Sequence, residues 1–186
     1  SALILLCYTF WFALSLLIPD GQLVHNIRFR SLTIITIAVL GIQLVYGAFM
    51  AGMKAAMRAP TWPDINGMYF PDTLATDSWV NHPLNIHFVH RMLAYILFTL
   101  VMFWFVAARK AAIQFRSAYL KKVAWWPFGL VWLQVLLGII TVLSAPSIVF
   151  GKFGTFEMLA ELHQLVAMFL LMSLMVGVYM ARPSKS

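Results

Sequence analysis

The sequence predicts an all-α integral membrane protein with five transmembrane helices, four of which form a bundle of two repeated hairpins. Three observations lead to this prediction: the composition, five long apolar runs and an internal repeat. Hydrophobic residues make up 62% of the chain and charged residues only 10%, against about 25% charged in soluble domains. The net charge of +7 does not indicate nucleic acid, because the basic residues cluster in a few connecting segments, as membrane topology requires.

Five runs meet or approach the roughly 20 apolar residues that a helix needs to cross a bilayer core of about 30 Å. They cover residues 2–18, 32–53, 85–108, 123–144 and 157–181. The first run is short at its N-terminal end, as a cut helix would be. The other four place the bundle within residues 19–181, followed by a tail at 182–186.

The connecting segments predict the orientation of the chain. Nine basic residues fall on one side: Arg28, Arg30, Arg109, Lys110, Arg116, Lys121, Lys122, Arg182 and Lys185. The positive-inside rule places this side in the cytoplasm. The loop 54–84 then lies outside, and its many Pro, Trp and Tyr residues indicate an ordered segment over the membrane surface.

An internal repeat relates the last four runs. Residues 43–47 and 134–138 both read Gln-x-x-x-Gly, and residues 90–94 and 163–167 both read His-x-x-x-Ala. The matching order indicates a duplicated helical hairpin. Close packing explains most of the pattern, since small residues let membrane helices approach and a Gln can bond across the contact. Room for a flat cofactor beside the glycines is the alternative.

The two repeat histidines, His90 and His163, are the strongest candidates for a functional site. Both lie five or six residues inside a run that begins on the outer side, which places both imidazoles roughly 8–9 Å below that boundary. Two imidazoles at one depth predict axial ligands of a heme iron in an apolar bundle. Hydrogen bonds to neighbouring helices are the alternative, and zinc is disfavoured because no third ligand shares their depth.

Other polar residues near the same boundary have less certain roles. His87, on nearly the same helix face as His90, is a third candidate ligand, although a propionate partner or an interfacial residue is favoured. Arg91, Lys54, Arg58 and Lys152 are candidate partners of heme propionates, and snorkelling explains any one of them equally well.

The remaining titratable residues have simpler interpretations. His82 and His25 fall in loops, where we expect them to be solvated. Glu157 and Glu161 lie in the first turns of the last helix, where the helix N-terminus favours acidic side chains, and proton transfer by Glu161 is the less favoured alternative. Cys7, the only cysteine, is expected to be a small apolar residue, and a lone cysteine excludes an internal disulfide.

Several motifs together resemble the heme A synthase family. They are Gln-Leu-Val-Tyr-Gly-Ala-Phe-Met-Ala-Gly-Met-Lys at 43–54, Thr-Trp-Pro-Asp-Ile-Asn-Gly at 61–67, His-Arg-Met-Leu-Ala-Tyr at 90–95, and the later Gln134-x-x-x-Gly138 and His163-Gln164. The resemblance covers about residues 1–181. It implies an enzyme of eight membrane helices in two halves that oxidises a methyl group of heme O to the formyl group of heme A.

The resemblance also implies a role for the histidine pair. The family's C-terminal half holds a heme b cofactor through two histidines, which map onto His90 and His163. Residues 1–18 resemble the last helix of the N-terminal half, whose substrate histidines and glutamate are not among residues 1–186. We therefore expect this stretch to bind heme b but not to catalyse the reaction alone.

The implied partners are the substrate heme O, membrane lipid, heme O synthase and an electron donor, with homo-oligomerisation left open and no nucleic acid. A bacterial inner membrane is the expected location. Two other hypotheses remain at this point: a stand-alone membrane cytochrome b that transfers electrons, and a helical transporter or assembly factor with structural histidines. The 61–67 motif and the cut first helix favour the synthase.

Overall fold

The computed structural model describes residues 2–149 and 151–182, which are helical apart from turns and one long loop. The helices are α1 Ala2–Leu17, α2 Ile27–Gly52, α3 Ala55–Arg58, α4 Pro83–Gln114, α5 Ala118–Val123, α6 Trp125–Ser144 and α7 Thr155–Met180. The described residues include no strand, only an isolated bridge between Ile65 and Met68. Lys185 and the rest of the predicted tail after Arg182 lie outside the described residues.

Four segments of the described chain are long and apolar enough to cross a membrane: Ile27–Gly52, Pro83–Gln114, Ala118–Ser147 and Thr155–Met180. They correspond to the last four predicted spans, so the all-helical class is confirmed for the described residues. The first predicted span is the shorter apolar helix α1, of 16 residues. A count of five membrane spans therefore stays a prediction.

Side-chain caps explain where three of these helices begin. Asn26 Oδ1 accepts from Phe29 N at 3.0 Å, before α2, and Ser117 Oγ accepts from Leu120 N at 3.3 Å, before α5. Glu157 Oε2 accepts from Gly154 N at 2.9 Å, so this acid serves the N-terminus of α7, as expected.

The two basic loops are shorter than predicted. Residues 27–31 already belong to α2, and only residues 115–117 separate α4 from α5. The segments 19–31 and 109–122, which connect the predicted apolar runs and were expected to be loops, are therefore partly helical. Hydropathy detects only the apolar middle of a helix. These helices continue through basic residues and end at a cap or at a residue in the left-handed conformation, such as Arg116 (φ 52°).

The described chain divides into two compact units. The first contains residues 1–38, 98–131 and 168–186. Its core surrounds the fully buried Trp104, whose Nε1 donates to Thr33 Oγ1 at 2.8 Å. A Cβ at Gly177 would lie only 2.7 Å from Trp104 Cζ2, so close packing around this ring requires a glycine there.

The second unit contains residues 39–97 and 132–167. It includes the C-terminal part of α2, the N-terminal parts of α4 and α7, most of α6 and the long loop. Within it, α3 contacts the turn Ala145–Ser147. Both repeat histidines and every candidate propionate partner lie in this unit, so the functional site can be described within it alone.

Candidate functional site

The first histidine of the site, His90, is held by the glutamine of the first repeat. Gln43 on α2 places its amide Nε2 3.2 Å from His90 Nε2 on α4. One helical turn after Gln43, Gly47 leaves space for the ring, since a Cβ there would lie 3.5 Å from His90 Cε1. The Gln-x-x-x-Gly pattern therefore puts a hydrogen-bond donor and a gap on one helix face, directly opposite the imidazole.

The second repeat builds the same arrangement. Gln134 Nε2 on α6 lies 3.1 Å from His163 Nε2 on α7. Gly138 follows one turn later, and a Cβ there would lie 3.0 Å from His163 Cε1. The same pair of atoms meets in both copies, which supports the interpretation of the sequence pattern as a repeat. The predicted hydrogen bond from each Gln to a neighbouring helix is present, and its acceptor is the repeat histidine.

Both imidazoles keep one nitrogen without a partner. The Nδ1 atoms of His90 and His163 are buried and have no hydrogen-bond partner, and neither do Oε1 of Gln43 and Oε1 of Gln134. The two rings also lie within electrostatic range of each other. Because unsatisfied polar atoms are rare inside proteins, this symmetric set marks a place where a further polar group or ion can bind.

Arg91, the neighbour of His90, fastens the long loop to α4. Its Nη1 donates to the carbonyls of Pro63 (3.1 Å) and Asp64 (2.6 Å), and its Nη2 donates to the carbonyl of Thr61. Its Nε donates to His87 Nε2 at 3.1 Å. Arg91 is 8% exposed, so these bonds are largely shielded from water. The 61–67 motif thus provides acceptors for Arg91, a role that the sequence did not reveal.

The loop segment held by Arg91 is also ordered internally. Asp64 Oδ1 accepts from Gly67 N at 2.8 Å, and Thr61 Oγ1 accepts from Asn66 N at 2.8 Å. The Gly67 amide and then the Thr61 hydroxyl hold the pKa of the Asp64 carboxyl below its ordinary value. Asn66 and Gly67 adopt positive φ angles of 53° and 86°, which glycine and asparagine tolerate best. The expectation of an ordered loop agrees with these contacts.

Two loop-proximal histidines differ from the sequence expectation. His87 is completely buried and accepts from Arg91, which does not fit an interfacial residue. His82 is half-buried with a shielded Nδ1, because it lies in the turn that leads into α4 and its carbonyl accepts from Ile86 N. His25 is exposed, as expected, and its Nδ1 donates to the carbonyl of Arg182 at 3.2 Å.

The other predicted polar residues of the site are exposed: Lys54, Arg58, Lys152 and Glu161. Lys54 adopts a left-handed conformation (φ 51°) between α2 and α3. The structure therefore brings the two Gln–His pairs into one unit with Arg91 and its partners. It leaves the other three candidate cations, Lys54, Arg58 and Lys152, at the surface of that unit.

A cavity of about 310 Å³ opens beside Arg91, and neither His90 nor His163 lines it. Its other lining residues are mainly aromatic or apolar: Pro63, Ile65, Tyr69, Phe70, Phe88, Met92 and Tyr95. Over the described residues, no group of three or more His, Cys, Asp or Glu side chains could hold a metal ion. A heme needs only two protein ligands, because its porphyrin supplies four of the six iron ligands and two histidines complete the set.

The glycines of the repeat make a graded prediction about stability. An Ala in place of Gly47 meets His90 at an ordinary contact distance, whereas an Ala in place of Gly138 meets His163 at a tight 3.0 Å. Replacing a helical Gly by Ala gains roughly 0.5–1 kcal/mol from backbone entropy, while overpacking costs roughly 1–3 kcal/mol. We therefore expect Gly47→Ala to be stabilising and Gly138→Ala to be destabilising by about 1 kcal/mol, measured by unfolding in detergent.

The matched control is Gly41→Ala, since a Cβ at Gly41 on α2 meets nothing within 4 Å. It should behave like Gly47→Ala. Equal stabilisation by all three substitutions would show that the His163 ring is free to move away from α6, contrary to its close packing against Gly138.

Comparison with known proteins gives a consistent family. Residues 1–175 match the family described as cytochrome oxidase assembly protein. Similar curated proteins include the heme A synthases of Pelagibacter ubique, 30% identical over 96% of this chain and 49% of the relative, and of Flavobacterium johnsoniae, 26% identical over 91% and 48%. The heme A synthase of Bradyrhizobium diazoefficiens is 34% identical over 67% of this chain and 35% of the relative.

The chain spans about half the length of the first two relatives. No solved structure matches it significantly. The family match, over residues 1–175, includes both Gln-x-x-x-Gly segments and both repeat histidines.

Proposed function

The chain belongs to the cytochrome oxidase assembly protein family. Because the relatives that it matches are named heme A synthase, we propose that it is the cofactor-binding half of a heme A synthase. In the whole enzyme a methyl group of heme O is oxidised to the formyl group of heme A. Residues 1–186 supply the site for a heme b, with His90 and His163 as its axial ligands. They do not carry out the oxidation alone.

The observation that carries this proposal is the matched pair of Gln–His contacts, at 3.2 and 3.1 Å, within one unit. Each imidazole has an Nε2 that accepts from a glutamine amide, a glycine beside its ring, and a buried Nδ1 without a partner. This donor set fits a bis-histidine heme, because neutral imidazole is the commonest metal ligand in proteins and an apolar surrounding suits the porphyrin. A bound heme b would supply one-electron oxidation and reduction at this site.

The chain's own residues have three tasks in this proposal. His90 and His163 bind the iron, and the helices that hold them exclude water from it. Arg91 keeps the 61–64 segment against α4. Lys54, Arg58 and Lys152, which are exposed, are the proposed partners of the anionic propionates, whereas most of the Arg91 donors already face loop carbonyls and His87.

The protein is an integral membrane protein by its family and its four apolar helices. We place it in a bacterial inner membrane with the basic segments near Arg28, Arg116 and Lys121 in the cytoplasm, by the positive-inside rule. The loop 54–84 and the Gln–His pairs then lie toward the outer face. Heme O is the proposed substrate, and heme O synthase and an electron donor are the proposed partners of the whole enzyme.

A spectrum of the natural protein, purified from membranes in detergent, tests the proposal. We expect a stoichiometric heme, identified as heme b after extraction, with a low-spin Soret band that sharpens on reduction. Carbon monoxide should leave the reduced spectrum unchanged, because both axial positions are taken. A protein without heme, or one whose main heme binds carbon monoxide, would contradict the assignment. The stand-alone cytochrome b is distinguished from a synthase by an activity assay of the whole natural protein, since only a synthase converts added heme O to heme A.

A further inference from the structure

The direction of the two Gln–His hydrogen bonds determines which imidazole nitrogen offers a lone pair. The contact atom of both glutamines is the amide nitrogen Nε2, which carries two N–H groups and can only donate. The Nε2 atoms of His90 and His163 must therefore accept. A neutral imidazole has a single N–H, so the proton of each ring is on Nδ1, the buried nitrogen that has no partner.

Iron and the glutamine amide thus need the same electrons. A protonated Nδ1 cannot ligate a metal, so the lone pair on Nε2 is the one that an axial histidine gives to iron. In the structure, that lone pair is already engaged by an N–H of Gln43 or Gln134 at about hydrogen-bonding distance. One lone pair cannot serve both, and binding of iron has to displace each amide.

We propose that Gln43 and Gln134 are placeholders, which cap the Nε2 lone pairs of His90 and His163 until a heme takes them. The proposal rests on the heme site proposed above. Loading then exchanges two hydrogen bonds for two iron–nitrogen bonds, and no proton has to move because Nε2 is already unprotonated. Gln43 and Gln134 are positioning residues in this scheme, and they do not touch the reacting atoms of the enzyme.

The membrane explains why such a cap is useful. An imidazole lone pair left without a partner in an apolar surrounding costs free energy and would favour other packings of the helices. With the caps, both rings are oriented before the cofactor arrives: the amide fixes the Nε2 side, and Gly47 or Gly138 gives room at Cε1. Both copies of the repeat contain the same contact, from Gln Nε2 to His Nε2, which coincidence explains poorly.

Titration of heme-depleted natural protein with hemin tests the placeholder role. The variants are Gln43→Leu, Gln134→Leu and the double variant, which remove the competing N–H and keep the side chain's bulk. Each single change should tighten hemin binding about fivefold, the change that corresponds to one net hydrogen bond of about 1 kcal/mol. The double variant should bind roughly 25-fold more tightly, and the midpoint potential of the loaded protein should not shift.

Gln164→Leu is the matched control, since Gln164 is exposed and adjoins His163; it should leave the affinity unchanged. Weaker hemin binding by the Gln43 and Gln134 variants, or a shifted midpoint potential, would overturn the proposal, because both results mean that the amides act on the loaded site. If the natural protein takes up no hemin, the proposed function itself fails. If it does and the variants bind no more tightly, only the placeholder role fails.

A measurement on the unaltered chain covers the case in which a variant does not fold. Nitrogen-15 NMR of the heme-depleted natural protein, with labelled histidine, distinguishes protonated from unprotonated ring nitrogens. His90 and His163 should show a protonated Nδ1 and an unprotonated Nε2. His87 should show the same tautomer because its Nε2 accepts from Arg91, but only the signals of His90 and His163 should move on addition of hemin. The opposite tautomer at His90 and His163, assigned by their absence in the corresponding alanine variants, would rule out a capped Nε2.

Discussion

Replacement of His90 or of His163 by Ala should convert the proposed low-spin, six-coordinate heme into a high-spin, five-coordinate one. In the proposed site α4 and α7 each supply one of the two iron ligands, so loss of one imidazole leaves one iron position open. Loss of an outer partner of a metal ligand costs about 10–100-fold in metal affinity, so loss of the ligand itself should lower heme affinity by more than about 100-fold. The Soret band and the heme content of the purified variants measure both effects.

Two histidines serve as controls for these variants. His25 is exposed and belongs to the other unit, so His25→Ala should keep the natural spectrum. His87 is buried three residues before His90 and was a candidate ligand, but its Nε2 accepts from Arg91. His87→Ala should therefore stay low-spin. If it becomes high-spin while His90→Ala does not, His87 is the ligand and the symmetric site is wrong.

Free imidazole gives a further test of the same prediction. The alanine variants leave a ring-sized gap beside Gly47 or Gly138, and exogenous imidazole can fill it. Addition of imidazole should restore a low-spin spectrum in each single variant. A high-spin form that does not respond would indicate that the helix had lost its fold around the site, a different cause of heme loss.

The positions of the spans could be predicted from the sequence, because hydropathy responds to the same apolar length that a bilayer requires. The ends could not. α4 extends from Pro83 to Gln114, beyond both predicted ends at 85 and 108. The extra turns contain Arg109, whose Nη1 donates to the carbonyl of Lys121. A basic residue near a membrane surface is compatible with a loop or with a protruding helix, and only the tertiary contact decides.

The site shows the same division. The repeat follows from residue spacing alone, and the shared depth of His90 and His163 is a prediction from the same spacing. The contact of Gln43 with His90 depends on how α2 and α4 are rotated about their own axes, which a hydropathy pattern of low amphipathicity does not determine. The three loop carbonyls that accept from Arg91 lie 27–30 residues away in sequence, so these contacts depend on the path of a loop that no short-range rule specifies.

Replacement of Arg91 by Ala should release the 61–67 segment from α4. The change deprives three loop carbonyls and His87 of their donor, and hydrogen bonds to a charged group contribute about 1.5–3 kcal/mol each. Part of this loss is recovered when water reaches the freed carbonyls, so we expect a net destabilisation of about 3 kcal/mol. Arg91→Lys should recover little, because an ammonium cannot bond in the several directions of a planar guanidinium.

Hydrogen–deuterium exchange at Asn66 and Gly67 measures the release directly, since these amides now donate to Thr61 and Asp64. They should exchange at least about tenfold faster in Arg91→Ala, which corresponds to 1.4 kcal/mol of local opening. Arg58→Ala is the matched control, because Arg58 is an exposed residue at the end of α3, just before the 61–67 segment. Its backbone carbonyl, the acceptor of Asn66 Nδ2, is retained in the variant.

The spectrum of the same variant decides between two roles of Arg91. If Arg91 mainly anchors the loop, Arg91→Ala frees the 61–67 amides while its heme stays low-spin, since Arg91 bonds neither His90 nor His163. If Arg91 instead bonds a propionate, heme affinity falls and the exchange of Asn66 and Gly67 does not change. The bonds to Thr61, Pro63 and Asp64 favour the first result, because a guanidinium that serves three loop carbonyls and a histidine has few donors left for a carboxylate.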